Sequence, residues 1–123
     1  MFAPAAGRLA TGGSFESLGT AITDPIYAPL PIPLTEGDSV VGEVLHVDRF
    51  GTLISNITGN SIQPGVAISV AGIDAGPLQR TFADVPSGHL VAFVGSGGTV
   101  EIAVRDGNAA RTLGLGVGAE VRA

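Results

Sequence analysis

The sequence predicts an all-β fold, and three observations support this. From Asp38 onward, short runs rich in Val, Ile and Leu alternate with Gly, Asn and Pro turn residues. Glycine accounts for 19 of the 123 residues, about twice its usual share, and follows no collagen-like repeat. The apolar runs recur at intervals of roughly ten residues, a spacing typical of all-β domains. This pattern favours a small β-barrel or sandwich of six to seven strands.

The candidate strands share β-branched or aliphatic residues and end at turn signals. They are residues 39–47, 52–57, 66–70, 78–82, 90–94, 99–104 and 119–122. Residues 108–113 predict a single helical turn, with Asn108 as its N-cap.

The first third of the chain has a different character. Residues 3–10 predict a short helix with a proline in its first turn and two glycines after it, and residues 14–18 predict a weak further turn. Residues 24–33 contain four prolines, which enforce an extended backbone and predict a linker or an edge segment. We therefore divide the chain into residues 1–35, a helix with a Pro-rich linker, and residues 36–123, the barrel.

Composition and charge exclude several classes of protein. The net charge is −5, all six basic residues are Arg, and they do not cluster, so no nucleic-acid partner is predicted. The absence of cysteine excludes disulfides and thiolate metal sites. The N-terminus lacks the features of a signal peptide, and no run approaches the roughly 18 apolar residues of a membrane span. These observations predict a cytoplasmic protein without a membrane partner.

The usual catalytic groups are sparse. His46 and His89 have no further ligand at a workable spacing, so they are interpreted as structural or exposed and no metal site is predicted. Ser96 lies in a run of glycines but lacks the Gly-x-Ser-x-Gly context of a hydrolase nucleophile. That run also lacks the Lys of a phosphate loop, which favours a hairpin loop. No catalytic residue is predicted in this chain.

The segment Asp48-Arg49-Phe50-Gly51 is the best candidate for ligand contact. An Asp that follows a strand can accept hydrogen bonds from an ammonium or hydroxyl group, and a Phe beside Gly can lie against a ring. The same pattern also suits a β-turn whose Asp accepts hydrogen bonds from local backbone amides. The chemistry of the residues alone leaves both alternatives open.

Three long segments together resemble a known enzyme family. They are FAPAAGRLA, GEVLHVDRFGTLISNI and RTFADVPSGHLVAFVGSGGTVEIAVRDGNAARTLGLGVGAEV. In order and spacing they resemble the C-terminal half of the S-adenosylmethionine (SAM) hydroxide adenosyltransferases, adenosine-forming SAM hydrolases related to fluorinase and chlorinase. The resemblance covers nearly the whole chain and is weakest over residues 58–80.

The resemblance implies a two-domain enzyme, an α/β N-terminal domain followed by a C-terminal β-barrel, assembled as a homotrimer. SAM would lie between one subunit's N-terminal domain and a neighbour's barrel, and water would convert it to adenosine and methionine. The groups that activate water belong to the N-terminal domain, so the helix at 3–10 is expected to be a remnant of that missing domain and this chain to be inactive alone. The implied partners are SAM or adenosine and the N-terminal α/β domain; SAM is the substrate, and no cofactor is called for.

The resemblance also implies a role for individual residues. Asp48 would hold the ammonium group of the methionine portion, and Phe50 would lie near the adenine. Thr52 stands where the family usually has Asn, and its shorter hydroxyl would weaken recognition of the base. Phe82 would stack on the adenine.

Further positions complete the implied site. Ser96 would contact the methionine carboxylate, whereas Gly97 stands where relatives carry Ser or Arg, so one carboxylate contact would be lost. Backbone groups near Arg105 and Asp106 would face the adenine edge, and Asn56 is interpreted as a structural residue at a strand end. Thr52 and Gly97 also support an alternative function, a non-catalytic structural or oligomerisation module that no longer binds the ligand.

Overall fold

The structure is a computed structural model that describes residues 2–123; Met1, the first residue of the predicted N-terminal segment, lies outside it. It contains eight strands and two short α-helices. The strands are β1 (Leu34–Glu36), β2 (Ser39–Val47), β3 (Leu53–Thr58), β4 (Ala67–Val70), β5 (Ile73–Gln79), β6 (Leu90–Val94), β7 (Thr99–Val104) and β8 (Glu120–Arg122). The helices are α1 (Phe2–Ala10) and α2 (Ala109–Leu113).

The sheet closes on itself. Its strand order is β1-β2-β3-β7-β6-β5-β4-β8, and an additional pairing of β2 with β8 joins the two sides into a seven-stranded ring, with β1 attached to β2. At this seam the backbones of Val40 and Ala123 exchange two hydrogen bonds, of 2.8 and 2.9 Å. Neighbouring strands of the described chain are antiparallel, except β5 and β6, which are parallel. The predicted all-β barrel with a short N-terminal helix is confirmed.

Alternation along the strands fills the barrel. In β3 the side chains of Leu53, Ser55 and Ile57 are buried and those between them are half-buried, the period-two pattern of a barrel wall. Strand β7 repeats the pattern. The core cluster to which these strands contribute consists of Val44, Leu53, Ile57, Ile68, Val70, Ala75, Ala92, Val100, Ile102, Val104, Ala109, Val121 and Ala123.

One polar side chain lies fully inside the barrel. Ser55 has no exposed surface, and its hydroxyl donates to the carbonyl of Val100 at 2.8 Å and accepts from the amide of Ile57 at 3.2 Å. Both hydrogen bonds remove the cost of burying an unpaired hydroxyl. Ser55 therefore ties β3 to β7 from the inside.

The strand predicted at 78–82 is wrong in its bounds, because β5 begins at Ile73 and Phe82 lies in the 3-10 turn Phe82–Asp84. The Asp84 carboxylate accepts hydrogen bonds from the amides of Arg80 and Thr81, at 3.2 and 3.1 Å, and forms a capping box with Thr81. This local network ends the extended backbone before Phe82. The side chain of Phe82 therefore extends from a turn and not from a strand.

Strand β5 also begins earlier than its sequence indicates. It passes through Gly76, whose φ is +79°, and the amide of Gly76 donates to Oδ1 of Asp74 at 2.8 Å. The pairing with β4 shifts register at this point, as at a β-bulge. Asp, Gly and Pro are usually turn residues, and the predicted strands accordingly leave residues 73–77 unassigned.

The N-terminal third lies largely outside the barrel. Helix α1 confirms the predicted helix, and residues 24–33 contain no regular secondary structure. Strand β1 was not predicted, and the predicted domain boundary between residues 35 and 36 falls inside it. Large apolar side chains of this third are exposed: Phe2, Leu9, Phe15, Leu18, Ile22, Ile26, Tyr27, Leu30, Ile32 and Leu34.

Asn56 anchors the Pro-rich segment to the barrel. Its Oδ1 accepts from the amide of Glu43 at 2.8 Å, and its Nδ2 donates to the carbonyl of Pro31 at 2.9 Å. The side chain passes over Gly42, where a Cβ would collide with Asn56 Oδ1. The predicted structural role of Asn56 is therefore confirmed.

Candidate functional site: a cleft beside the β2–β3 loop

A cleft of about 740 Å³ opens on the outside of the barrel, where the β2–β3 loop, the end of β7 and the 82–84 turn meet. Five of the predicted site residues line it: Phe50, Thr52, Phe82, Arg105 and Asp106. The other lining residues are Phe93, Ala103, Val104, Gly107, Asn108 and Arg111. A mostly apolar wall with a few polar groups at its edge is the usual composition of a small-molecule site.

Asp48 organises the β2–β3 loop. Its Oδ1 accepts hydrogen bonds from the amides of Phe50 and Thr52, at 2.9 and 2.8 Å. Its own amide and carbonyl close the turn through Thr52 and Gly51. Oδ1 thus has the local structural role, whereas Oδ2 makes no hydrogen bond within residues 2–123 and can accept one from a ligand. Asp48 lies beside the cleft and does not line it.

Gly51 is required by the shape of this loop. Its φ is +86°, a conformation that residues with a Cβ rarely adopt. A Cβ there would also collide with the side chain of Asn108, and the Gly51 carbonyl accepts from the amide of Ala110 at 2.9 Å. The loop that carries Phe50 is therefore fixed against the start of α2.

Asn108 is the N-cap of α2, as the sequence predicted. Its Oδ1 accepts from the backbone amide of Arg111 at 2.7 Å. The helix ends at Leu113, and its C-cap Gly114 adopts a left-handed conformation with φ of 66°. The side chain of Asn108 also lines the cleft, a role that the sequence reasoning missed.

Aromatic rings form the apolar part of the cleft. Phe82 is 54% exposed, and its ring centroid lies 6.4 Å from that of Phe93 at an interplanar angle of 60°. Phe50 is 62% exposed, and the Arg49 guanidinium carbon lies 4.6 Å from its ring centroid. The two rings thus offer partly exposed apolar faces at the cleft, which a planar ligand could cover.

Arg105 holds the turn that presents Phe82. Its Nη1 donates to the carbonyls of Ala83 at 2.9 Å and Val85 at 2.7 Å. Its backbone amide and carbonyl are both bonded to the turn at residues 86–89. The guanidinium is therefore engaged with the protein, and Arg105 acts on the cleft by positioning the 82–85 segment.

We expect Arg105→Lys to loosen this segment. An ammonium group cannot reproduce the planar guanidinium that reaches both carbonyls, and hydrogen bonds from a charged donor contribute about 1.5–3 kcal/mol. Urea unfolding should show a loss of about 1–2 kcal/mol, and NMR relaxation should show greater mobility at residues 82–85. Arg111→Lys is the control, because the Arg111 side chain makes no hydrogen bond within residues 2–123. An unchanged 82–85 segment in Arg105→Lys would contradict the positioning role.

Ser96 and Gly97 lie away from this cleft. They belong to the hairpin between β6 and β7, which lies next to Gly59, the residue after β3. The amide of Gly59 donates to the carbonyl of Gly98 at 2.9 Å. The cleft lies at the other end of β7, roughly 17 Å away at the usual rise per residue of a strand. Of the eight predicted positions, the structure brings five together in the cleft, with Asp48 beside them and Ser96 and Gly97 apart.

Glu101 lies between these two regions and was not predicted as a site residue. It pairs with Ile54 of β3 and Phe93 of β6, and its carboxylate packs against Gly95 of the hairpin. Partial burial, and secondly the negative charge of Asp48, raise the pKa of Glu101. In the sequence, Glu101 stands between the apolar residues Val100 and Ile102. This alternation was the signal that could have indicated its outward position on β7.

The raised pKa of Glu101 predicts a pH-dependent stability. A carboxyl that binds its proton more tightly in the folded state penalises folding once ionised, so its penalty is absent at low pH and develops as pH rises through the folded pKa. Glu101→Gln should therefore be more stable than the wild type at pH 7, by at most about 1 kcal/mol because solvent still reaches the group. The difference should vanish below the ordinary pKa of Glu, as thermal unfolding at several pH values would show. A gain that persists at low pH would exclude this cause.

Two further findings concern the described residues as a whole. Within residues 2–123, no three His, Cys, Asp or Glu side chains come together as a metal site would require. Over the same range, no helix has the length and apolar character needed to cross a membrane.

The structure is a β-barrel domain, closed as a seven-stranded ring, with a cleft on one side of the barrel. Residues 42–122 match the model of the SAM hydroxide adenosyltransferase C-terminal domain, and the chain belongs to this family. The resemblance drawn from the sequence is thus confirmed.

Relatives with known names match almost the whole chain. A protein of Thermus thermophilus named (R)-S-adenosyl-L-methionine hydrolase is 43% identical over 99% of this chain, and one of the same name from Salinispora tropica is 37% identical over 99%. This chain covers 46% and 48% of their lengths, respectively. It therefore spans about half the length of the curated relatives that it matches.

Solved structures agree with the fold. A conserved hypothetical protein from Thermus thermophilus has a TM-score of 0.68 and 44% identity, covering 98% of this chain and 49% of that one. An uncharacterised conserved protein from Thermotoga maritima has a TM-score of 0.73 and 29% identity, covering 99% of this chain and 49% of that one.

Proposed function

We propose that this chain is the C-terminal, ligand-binding half of a SAM hydrolase, in which water converts SAM to adenosine and L-methionine. In this proposal the barrel supplies contacts to the adenine and to the methionine portion, and an N-terminal α/β domain of the same family supplies the groups that activate water. The barrel alone is inactive. The single observation that carries the proposal is the cleft formed by Phe50, Thr52 and Phe82 in a chain of this family.

The cleft is suited to the adenine portion of such a ligand. The exposed rings of Phe50 and Phe82 offer apolar area to a base, and stacking of a base on an aromatic ring contributes about 1–3 kcal/mol. Thr52 lies in the same wall and offers a hydroxyl to the base edge. These groups support nucleoside binding without any contribution from catalytic residues.

The methionine portion would lie along the outer face of β7. The free Oδ2 of Asp48 is available to an ammonium group, and Ser96 of the distant hairpin would meet the carboxylate. Because the ammonium and the carboxylate are attached to the same carbon of methionine, this proposal requires Asp48 and the Ser96 hairpin to approach each other across Glu101, whose carboxylate packs against Gly95 and whose pKa the charge of Asp48 helps to raise. Because Gly97 has no side chain to donate a hydrogen bond, binding of the methionine carboxylate would be weaker.

The partner in this proposal is the N-terminal domain. Residues 2–34 carry ten exposed large apolar side chains, which a second protein element could bury. The curated relatives are about twice as long as this chain, which is consistent with such an element. We propose that the complete assembly is a homotrimer, which analytical ultracentrifugation of the reconstituted protein would test.

The test is to incubate the chain with SAM, alone and mixed with the remaining half of the Thermus thermophilus relative, and to measure adenosine by chromatography. We expect no adenosine from the chain alone and clear turnover from the mixture. The N-terminal half alone is the matched control. Turnover by the isolated chain would overturn the requirement for the N-terminal domain.

The alternative function is a non-catalytic structural or oligomerisation module. The observation that favours it is the use of Asp48 Oδ1 and Arg105 Nη1 in purely structural hydrogen bonds. Titration calorimetry with SAM and with adenosine separates the two functions. No binding at millimolar ligand, by the chain or by the mixture, would support the module and contradict the hydrolase half.

A further inference from the structure

The side chain of Asn108 has one polar atom that the fold does not use. Its Oδ1 accepts from the amide of Arg111 at 2.7 Å, which fixes the orientation of the side-chain amide, because only the oxygen can accept. Its Nδ2 makes no hydrogen bond within residues 2–123. No buried side-chain nitrogen in that range lacks a partner, so Nδ2 must reach solvent.

Asn108 belongs to the wall of the cleft. The residue lines it together with Phe50 and Thr52, while Gly51 packs against the amide and prevents it from turning freely. A donor held in this way loses little conformational entropy when it binds an acceptor. A residue of the cleft wall, beside Phe50, therefore carries a preoriented and solvent-accessible N–H group.

We propose that Asn108 is a specificity-determining residue of the cleft, and that its Nδ2 donates to a ring nitrogen of a purine base lying between Phe50 and Phe82. This inference rests on the proposed function and deepens it. Thr52, with its short hydroxyl, leaves part of the base edge without a partner, and Asn108 approaches the same space from α2. The ligand class that fits is a purine nucleoside with an unprotonated ring nitrogen.

The substitution Asn108→Asp separates the ligand role from the structural role. Asp is as good an N-cap as Asn and has nearly the same shape, so α2 and the contact with Gly51 should be preserved. It replaces the donor Nδ2 by an acceptor that repels the lone pair of a ring nitrogen. Asn60→Asp is the matched control, because Asn60 lies in the 3-10 turn Gly59–Ser61 and does not line the cleft.

The experiment is an NMR titration of the ¹⁵N-labelled chain, alone and mixed with the N-terminal half, with adenosine and with purine riboside. Purine riboside lacks the exocyclic amino group and keeps the ring nitrogens, so it isolates the proposed hydrogen bond. The chain has three Asn and two Gln residues, so the side-chain amide signal of Asn108 can be assigned and followed directly. Thermal unfolding of each variant verifies that the fold is intact.

We expect the wild type and Asn60→Asp to bind both nucleosides equally well, with a shift of the Asn108 side-chain signal. Asn108→Asp should bind both nucleosides roughly tenfold more weakly at unchanged thermal stability. Equal binding by Asn108→Asp, or a loss seen with adenosine alone, would overturn the inference and leave the proposed function standing. Failure of the wild type to bind either nucleoside, alone and in the mixture, would overturn both.

Discussion

Replacing Gly51 by Ala is expected to lower the free energy of unfolding by about 2–4 kcal/mol. Two costs combine at this position. A residue with a Cβ is strained at φ of +86°, and the new methyl group would collide with the side chain of Asn108. Because Asn108 caps α2 and lines the cleft, the same change should also weaken nucleoside binding. Urea unfolding and the nucleoside titration measure the two effects.

Two other glycines separate these costs. Gly65 has φ of +76°, and a Cβ added there would have no other atom within 4 Å, so Gly65→Ala should show the backbone strain alone, about 1 kcal/mol. Gly116 has open space and no positive φ, so Gly116→Ala should be nearly neutral. If Gly51→Ala costs no more than Gly65→Ala, the packing of the loop against Asn108 does not contribute to stability.

Replacing Leu53 by Ala is expected to cost about 2–5 kcal/mol, the usual range for a large core side chain. Leu53 is fully buried and pairs with Val47 and Ile102 of the neighbouring strands. It also follows Thr52 directly, so a cavity here would loosen the strand from which the candidate site extends. Since small domains are stable by only about 5–15 kcal/mol, a visible fraction of the variant should be unfolded at elevated temperature.

Leu34→Ala is the matched control for the Leu53 variant. Leu34 carries the same side chain on β1 and is 64% exposed, so its truncation should change stability by less than about 0.5 kcal/mol. Thermal unfolding by circular dichroism compares the two. Similar losses in both variants would mean that the barrel interior does not dominate the stability of this chain.

The barrel was predictable because its strands carry a regular pattern. β2, β6 and β7 have the bounds that their apolar runs indicate, and β3 shows strict alternation of buried and half-buried positions. The helical cap at Asn108 was predictable for a similar reason, since it depends on adjacent residues alone. The strand bounds and the helix cap could thus be predicted from one sequence, because they depend on neighbouring residues.

The parts that could not be predicted depend on residues distant in sequence. The separation of Ser96 from the cleft follows from the antiparallel register of β3 and β7, which the order of motifs along the chain does not reveal. The double role of Asn108 depends on its contact with Gly51, more than fifty residues earlier. The turn at Phe82 is an exception, because it depends on nearby residues: the Asp84 carboxylate accepts from the amides of Arg80 and Thr81, which a strand would have used.

The seam of the barrel has a consequence for how the chain is made. Its closing hydrogen bonds join Val40 to Ala123, so the ring cannot form until both segments have left the ribosome. At about 5–20 residues per second, translation from the end of β2 to the end of β8 takes roughly 4–15 s. Over that interval β2 and β4 lack their partner β8 and present open edges, which favour aggregation. We expect the seam to be among the last native contacts to form, and nascent chains to depend on chaperones until it does.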